Sequence, residues 1–134
     1  MTKISGKYLG DLRCSATHLN SQSEILSDAP TDNHGKGEKF SPTDLMATSL
    51  ALCMMTIMGI EANKHQIELG EISFDLNKLM GSNPRKIKKV KIEFNFKKTF
   101  SEEEQKIIEE AAKNCPVALS FSTDITQEVI FKYA

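Results

Sequence analysis

Cys53 and Cys115 are the two side chains of this chain best suited to doing chemistry. Cys53 lies within the apolar run LMATSLALCMMTIMGI that follows Ser41-Pro42, and Cys115 stands directly before Pro116 in NCPVALSF. A cysteine that attacks a peroxide becomes a sulfenic acid, and a second sulfur is needed to capture it as a disulfide. Two thiols on distant segments therefore suggest a redox site assembled by folding. Pro116 suits a first helical position and makes Cys115 the N-cap, where backbone N–H groups and the helix dipole predict a lowered thiol pKa. Cys53 has Ser49, Leu50, Thr56 and Ile57 as helical neighbours. These mostly apolar surroundings predict a raised pKa and a need for a cation from elsewhere. The residues alone leave a second reading open, because a free cysteine also packs as a small hydrophobe. Cys14, in RCSATH on an expected strand, is read that way.

The elements that must position the thiols follow from pattern. Lys3 to Leu9 and Arg13 to Leu19 flank a Gly10-Asp11 hairpin turn, and Ser23 to Leu26 supplies a third strand, giving a small antiparallel meander. The segment Asp28 to Phe40 reads as a long loop, and loops of such length are usually functional or mobile. The loop around His34 could fold over a thiol pocket, with Gly35 and Gly37 letting it bend, and a plain mobile loop explains the same residues. Ser41 as N-cap, Pro42 as first helical residue and Asp44 closing the cap begin a helix that ends near Asn63 to His65. Its apolar residues occur on nearly every side, so it must be surrounded by protein. A chain this short can hardly supply that cover alone, which predicts a dimer. Met46, Leu50, Met54, Ile57 and Met58 could line a pocket for an alkyl chain or simply form core.

Glu71 to Leu79 and Lys88 to Lys98 surround the turn GSNPRK, and Val90, Ile92, Phe94 and Phe96 alternate with charged residues as the dry face of a strand. Ser101 caps a second amphipathic helix ending near Asn114, Cys115-Pro116 starts a short third one, and Ile125 to Tyr133 is a last strand. The order βββ-α-ββ-αα-β is an α+β pattern with mainly antiparallel pairing.

At 134 residues and 40% apolar content the chain is expected to form one domain, residues 1–134, without disulfide staples. Seventeen basic against eighteen acidic residues, a net charge of -1, give no electrostatic sign of a nucleic-acid or anionic-membrane partner. The lysines of PRKIKKVK read as a wet sheet face without an aromatic platform. MTKISGKYLG has no apolar signal region, and Leu45 to Ile60 is shorter than the roughly 20 residues of a membrane span. Three cysteines without CxxC spacing suit a reducing cytoplasm better than a secreted disulfide framework. His18, His34 and His65 show no metal-ligand spacing.

The stretch TDNHGKGEKFSPTDLMATSLALC, its continuation MMTIMGIEANKHQIEL and the segment NCPVALSF resemble the OsmC/Ohr proteins, osmotically induced protein C and organic hydroperoxide resistance protein, along nearly the whole chain. The resemblance implies an intertwined homodimer whose sheets enclose two long central helices. It gives Cys53 the peroxidatic role and Cys115 the resolving role, with organic hydroperoxides as substrates, a dithiol of the lipoyl type as reductant, and no metal, flavin or haem. The family's glutamate after the helix-starting proline, which orients an arginine beside the attacking thiol, is replaced here by Thr43. Asp44, nine residues from Cys53, lies on about the opposite helix face. Arg13 is the better of two arginines for the cationic role, since Arg85 lies in the polar turn. Ala118 stands where the family often has Ser or His after C-P-V. The competing reading is a non-catalytic dimer on the same scaffold that binds an apolar small molecule.

Overall fold

A computed structural model describes all residues, 1–134. The chain forms two compact units, Met1–Met46 and Ala47–Ala134. The first is the expected meander: β1 (Ile4–Gly10), β2 (Arg13–His18) and β3 (Ser23–Asp28) pair antiparallel in chain order. Asp11 and Leu12 make the tight turn with positive φ. The β2–β3 register sets Arg13 directly opposite Asp28. No apolar side chain of this unit is buried, and Ile4, Tyr8, Leu9, Ile25 and Phe40 are exposed.

The loop after β3 is closed on itself. Asp28 N–H donates to the Phe40 carbonyl at its far end, and the N–H groups of Gly35 and Gly37 donate to Pro30 and Ala29 carbonyls. Gly35 is required there: a Cβ would lie 1.8 Å from the Ala29 oxygen. The bending expected from the glycines is therefore replaced by a glycine that lets two backbones touch.

The helix α1 (Pro42–Lys64) starts as expected. Asp44 N–H donates to Ser41 Oγ at 3.0 Å, and Ser41 N–H donates to Asp44 Oδ2 at 2.9 Å, so two otherwise unpaired amides are satisfied reciprocally. At 23 residues α1 is long and apolar enough to cross a membrane, more than its apolar stretch alone predicts. Six of its residues, among them Leu50, Met54 and Met58, are nevertheless buried.

Those residues sit on the sheet of the second unit, formed by β4 (Ile72–Gly81), β5 (Lys86–Phe96) and β6 (Thr126–Lys132). Val90, Ile92, Phe94 and Phe96 are the dry face of β5, as the alternation predicts. Leu50, Met54 and Met58 belong to this core, the packing alternative to a pocket lining. β4 and β5 are antiparallel, but β6 runs parallel to β5. A parallel neighbour needs a crossover rather than a hairpin. Here α2 (Glu102–Lys113) and α3 (Pro116–Ser120) supply it. α2 opens on a full capping box between Ser101 and Glu104 and buries Ile108, Ala111 and Ala112. Tyr133, stacked on Phe96 with ring centroids 4.8 Å apart, donates its hydroxyl to Glu109 on α2.

A candidate dithiol site on the central helix

Cys115 reaches its position because α2 ends at Lys113, two residues before it. Asn114 N–H donates back to Ala111, and Cys115 N–H to Ala112 at 3.3 Å. Pro116 then begins α3, and Cys115 Sγ accepts the Ala118 N–H at 3.3 Å. The thiol is therefore an N-cap, as the sequence predicts. Gln127 Nε2 donates to the Ala118 carbonyl at 3.0 Å, tying α3 to β6.

The electrostatic consequence differs from the expectation. Cys115 is completely buried among the core residues. Desolvation is the largest influence on its acidity and raises its pKa, outweighing the lowering by the Ala118 amide. The amides of Ala118 and Val117 together do not offset the loss of water around a thiolate. Cys53 is also near enough to raise it further, both as hydrogen-bond partner and as charge. The fold thus brings Cys53 and Cys115 together within the second unit. Cys53 is only half-buried, at the border between the sheet-facing stripe of α1 and its outer face. Leu52 and Ile60 on that outer face are exposed, 50% and 45%.

Cys14 is exposed rather than packed. Its strand belongs to the unit that buries no apolar side chain, so there is no core for it to join. It lines a small cavity of the first unit together with Tyr8, Leu12 and Ser27.

Arg13 is held in the first unit by a residue the sequence did not single out. Its Nε and Nη2 donate to the two oxygens of Asp28 at 2.7 and 2.9 Å, a two-point fork. Asp28 is 1% exposed and also accepts the backbone N–H groups of Glu38 and Lys39, at 3.1 and 3.0 Å. The arginine holds the Asp28 carboxyl down at a pKa of about 2. The Glu38 carboxylate lies 3.7 Å from Arg13 Nη2. The register of the hairpin carried the signal: once His18 faces Ser23, Arg13 must face Asp28. Ending the third strand at Leu26 hid it. Asp44 is used by the helix cap and Thr43 Oγ1 stands 3.2 Å from Ser41 Oγ. No group of three or more His, Cys, Asp or Glu side chains is placed to hold a metal ion.

Two free thiols, one on a long helix and one at a capped C-P turn, are carried by an α+β scaffold of two three-stranded sheets. The family model for OsmC-like protein matches residues 35–129, and the chain belongs to that family. A solved structure from Psychrobacter arcticus, assigned to osmotic stress induction and detoxification response, is 48% identical, with a TM-score of 0.93 over 98% of this chain and 96% of that one. The organic hydroperoxide resistance protein OsmC of Legionella pneumophila shares the fold at 16% identity, TM-score 0.80, over 98% and 96% of the two chains. The organic hydroperoxide resistance protein OhrB of Bacillus subtilis does so at 18% identity, TM-score 0.72, over 98% of each. No curated protein matches the chain.

Proposed function

We propose that the protein is a thiol peroxidase that reduces organic hydroperoxides through a Cys53/Cys115 dithiol–disulfide cycle. The observation that carries this reading is the proximity of a half-exposed and a sealed thiol. Cys53 is the sulfur a peroxide can reach. Its thiolate attacks the terminal peroxide oxygen, the O–O bond breaks, and the alkoxide leaves and takes up a proton as the alcohol. The sulfur of Cys115 then displaces hydroxide from the Cys53 sulfenic acid, the Cys115 proton leaving with it as water, and an S–S bond forms. A dithiol, of which a reduced lipoyl group is one, returns both sulfurs to thiols and is itself oxidised to a disulfide. A cycle that ends in two free thiols suits the reducing cytoplasm.

In this reading Arg13 supplies the positive charge that stabilises the Cys53 thiolate. The working form is a homodimer of two single-domain chains. Two features favour it: a unit of 46 residues in which no apolar side chain is buried, and an outer face of α1 carrying exposed Met46, Leu52 and Ile60. So little buried surface is below what a fold of that size sustains alone.

The test is a thiol count after one equivalent of cumene hydroperoxide. The wild type is expected to lose two of its three thiols and the Cys53→Ala variant none. Three unreacted thiols with the peroxide unchanged would leave the non-catalytic binding dimer as the better reading.

A further inference from the structure

We propose that Gln127 is a positioning residue for the Cys115 thiol, acting through Ala118. The inference rests on the role given to Cys115 above and adds the residue that aims its sulfur. Along the parallel pair of β5 and β6, Gln127 lies beside Val90, Val129 beside Ile92 and Phe131 beside Phe94. Side chains two apart on a strand share a face, so Gln127 occupies the same face of β6 as Val129 and Phe131, which pack against the core. Its neighbours Val90, Ile92 and Phe94 are the completely buried side of β5. A polar amide in such a row is costly unless it is hydrogen-bonded, and an apolar side chain would continue the row without that cost. The amide is used: its Nε2 donates to the Ala118 carbonyl at 3.0 Å.

The receiving element needs such a tether. α3 has five residues, none of them buried, and Leu119 is exposed. A helix that short does not hold itself together in water. The carbonyls of Cys115, Pro116 and Val117 are met inside the turn, by Leu119 N–H, the Ser120 hydroxyl and Phe121 N–H. The Ala118 carbonyl is bonded outward, to the strand. Ala118 is thus held at both polar groups, its carbonyl by Gln127 and its N–H by Cys115 Sγ at 3.3 Å. Thiol–disulfide exchange proceeds through the thiolate, and no water reaches the completely buried Cys115 to solvate that charge. The amides of Ala118 and Val117 take the place of water there. Cys53 on α1 is the titratable group acting on Cys115, while α2 and β5 bring Ile108, Ala112, Val90 and Ile92 to the same core. Freeing Ala118 from β6 therefore leaves the attacking sulfur less well stabilised.

The experiment uses the full chain carrying Cys14→Ser, so that Cys53 is the accessible thiol, with and without Gln127→Met. Dithiobisnitrobenzoate converts Cys53 to a mixed disulfide and releases one thionitrobenzoate. Cys115 then attacks the Cys53 sulfur, the 53–115 bond forms, a second thionitrobenzoate leaves, and the Cys115 proton passes to solvent. Absorbance follows this second release from about pH 6 to about pH 10.5, a range that spans the ordinary thiol pKa, with a thermal melt of each protein. Gln127→Met keeps the side-chain length, suits the dry face and removes the donor. It is expected to leave the first release unchanged and to raise the midpoint of the second by about one pH unit. A roughly tenfold loss of thiolate, partly offset by the greater nucleophilicity of a more basic sulfur, makes the second release about threefold slower at neutral pH. The gap closes as the pH nears the thiol pKa. An unchanged profile, or a slowing by the same factor at every pH, overturns the positioning role. No second release from the parent overturns it together with the dithiol cycle, whereas a normal second release with cumene hydroperoxide left intact refutes peroxidase activity alone. Should Gln127→Met melt below the assay temperature, Gln127→Leu is read in its place.

Discussion

Oxidation should make this protein harder to unfold, and by an amount the chain itself sets. A bond between Cys53 and Cys115 closes a loop of roughly 60 residues, which in the chain-entropy treatment stabilises the folded state by about 4 kcal/mol. The full value applies only if the native geometry accepts the bond without distortion, and native disulfides commonly deliver about 2–4 kcal/mol. The reduced structure favours acceptance: Cys115 is fixed by the α3 cap and Cys53 by the buried stripe of α1, and the two already interact. For a chain of this length the gain corresponds to a rise in Tm on the order of 10 °C. The assay is a thermal melt of fully reduced protein against protein treated with one equivalent of hydroperoxide and freed of excess oxidant. Cys115→Ser, treated identically, serves as the control that cannot close the loop. A peptide map showing the 53–115 bond together with an unchanged or lowered Tm would refute the reasoning. The sulfurs would then be joined only by pulling one of them from its native place.

Three other expectations follow from burial and charge. Alkylation of the native protein should reach Cys115 last, because it is the one completely buried thiol, and quenched peptide mapping reads that order directly. Phe94→Ala should cost about 3–5 kcal/mol in denaturant unfolding, because Phe94 is fully buried between Phe74 and Phe131 and its loss leaves a cavity under the sheet. A cost under about 1 kcal/mol would contradict that placement. Asp28, with its pKa lowered to about 2, contributes stability that is present above the ordinary carboxylate value of 3.8 and is lost as pH falls toward 2. Cys115, with its pKa raised above 9.0, contributes stability that is full below pH 9 and is lost above it, where the unfolded chain gives up the thiol proton first. Comparing acid melts of wild type and Asp28→Asn, and alkaline melts of wild type and Cys115→Ser, should show a flatter limb in each variant.

What the sequence determined by itself is what depends on near neighbours. The caps at Ser41, Ser101 and Cys115 each satisfy an amide three residues on, so residue type and spacing suffice to place α1, α2 and α3. The alternation in β5 names its buried face for the same reason. The two cysteine motifs were legible as a pair because their flanking prolines, apolar runs and separation resemble a family whose model the chain then matched. Tertiary structure decided everything that sums over distant atoms. The helical crossover made β6 parallel. Enclosure by the core reversed the acidity expected for Cys115, since a cap offers only the amides of the next turn whereas desolvation counts every atom that replaces water. The partner of Arg13 was fixed by strand register, which slides with where a strand is taken to end, so Asp28 emerged only once the ladder was in place.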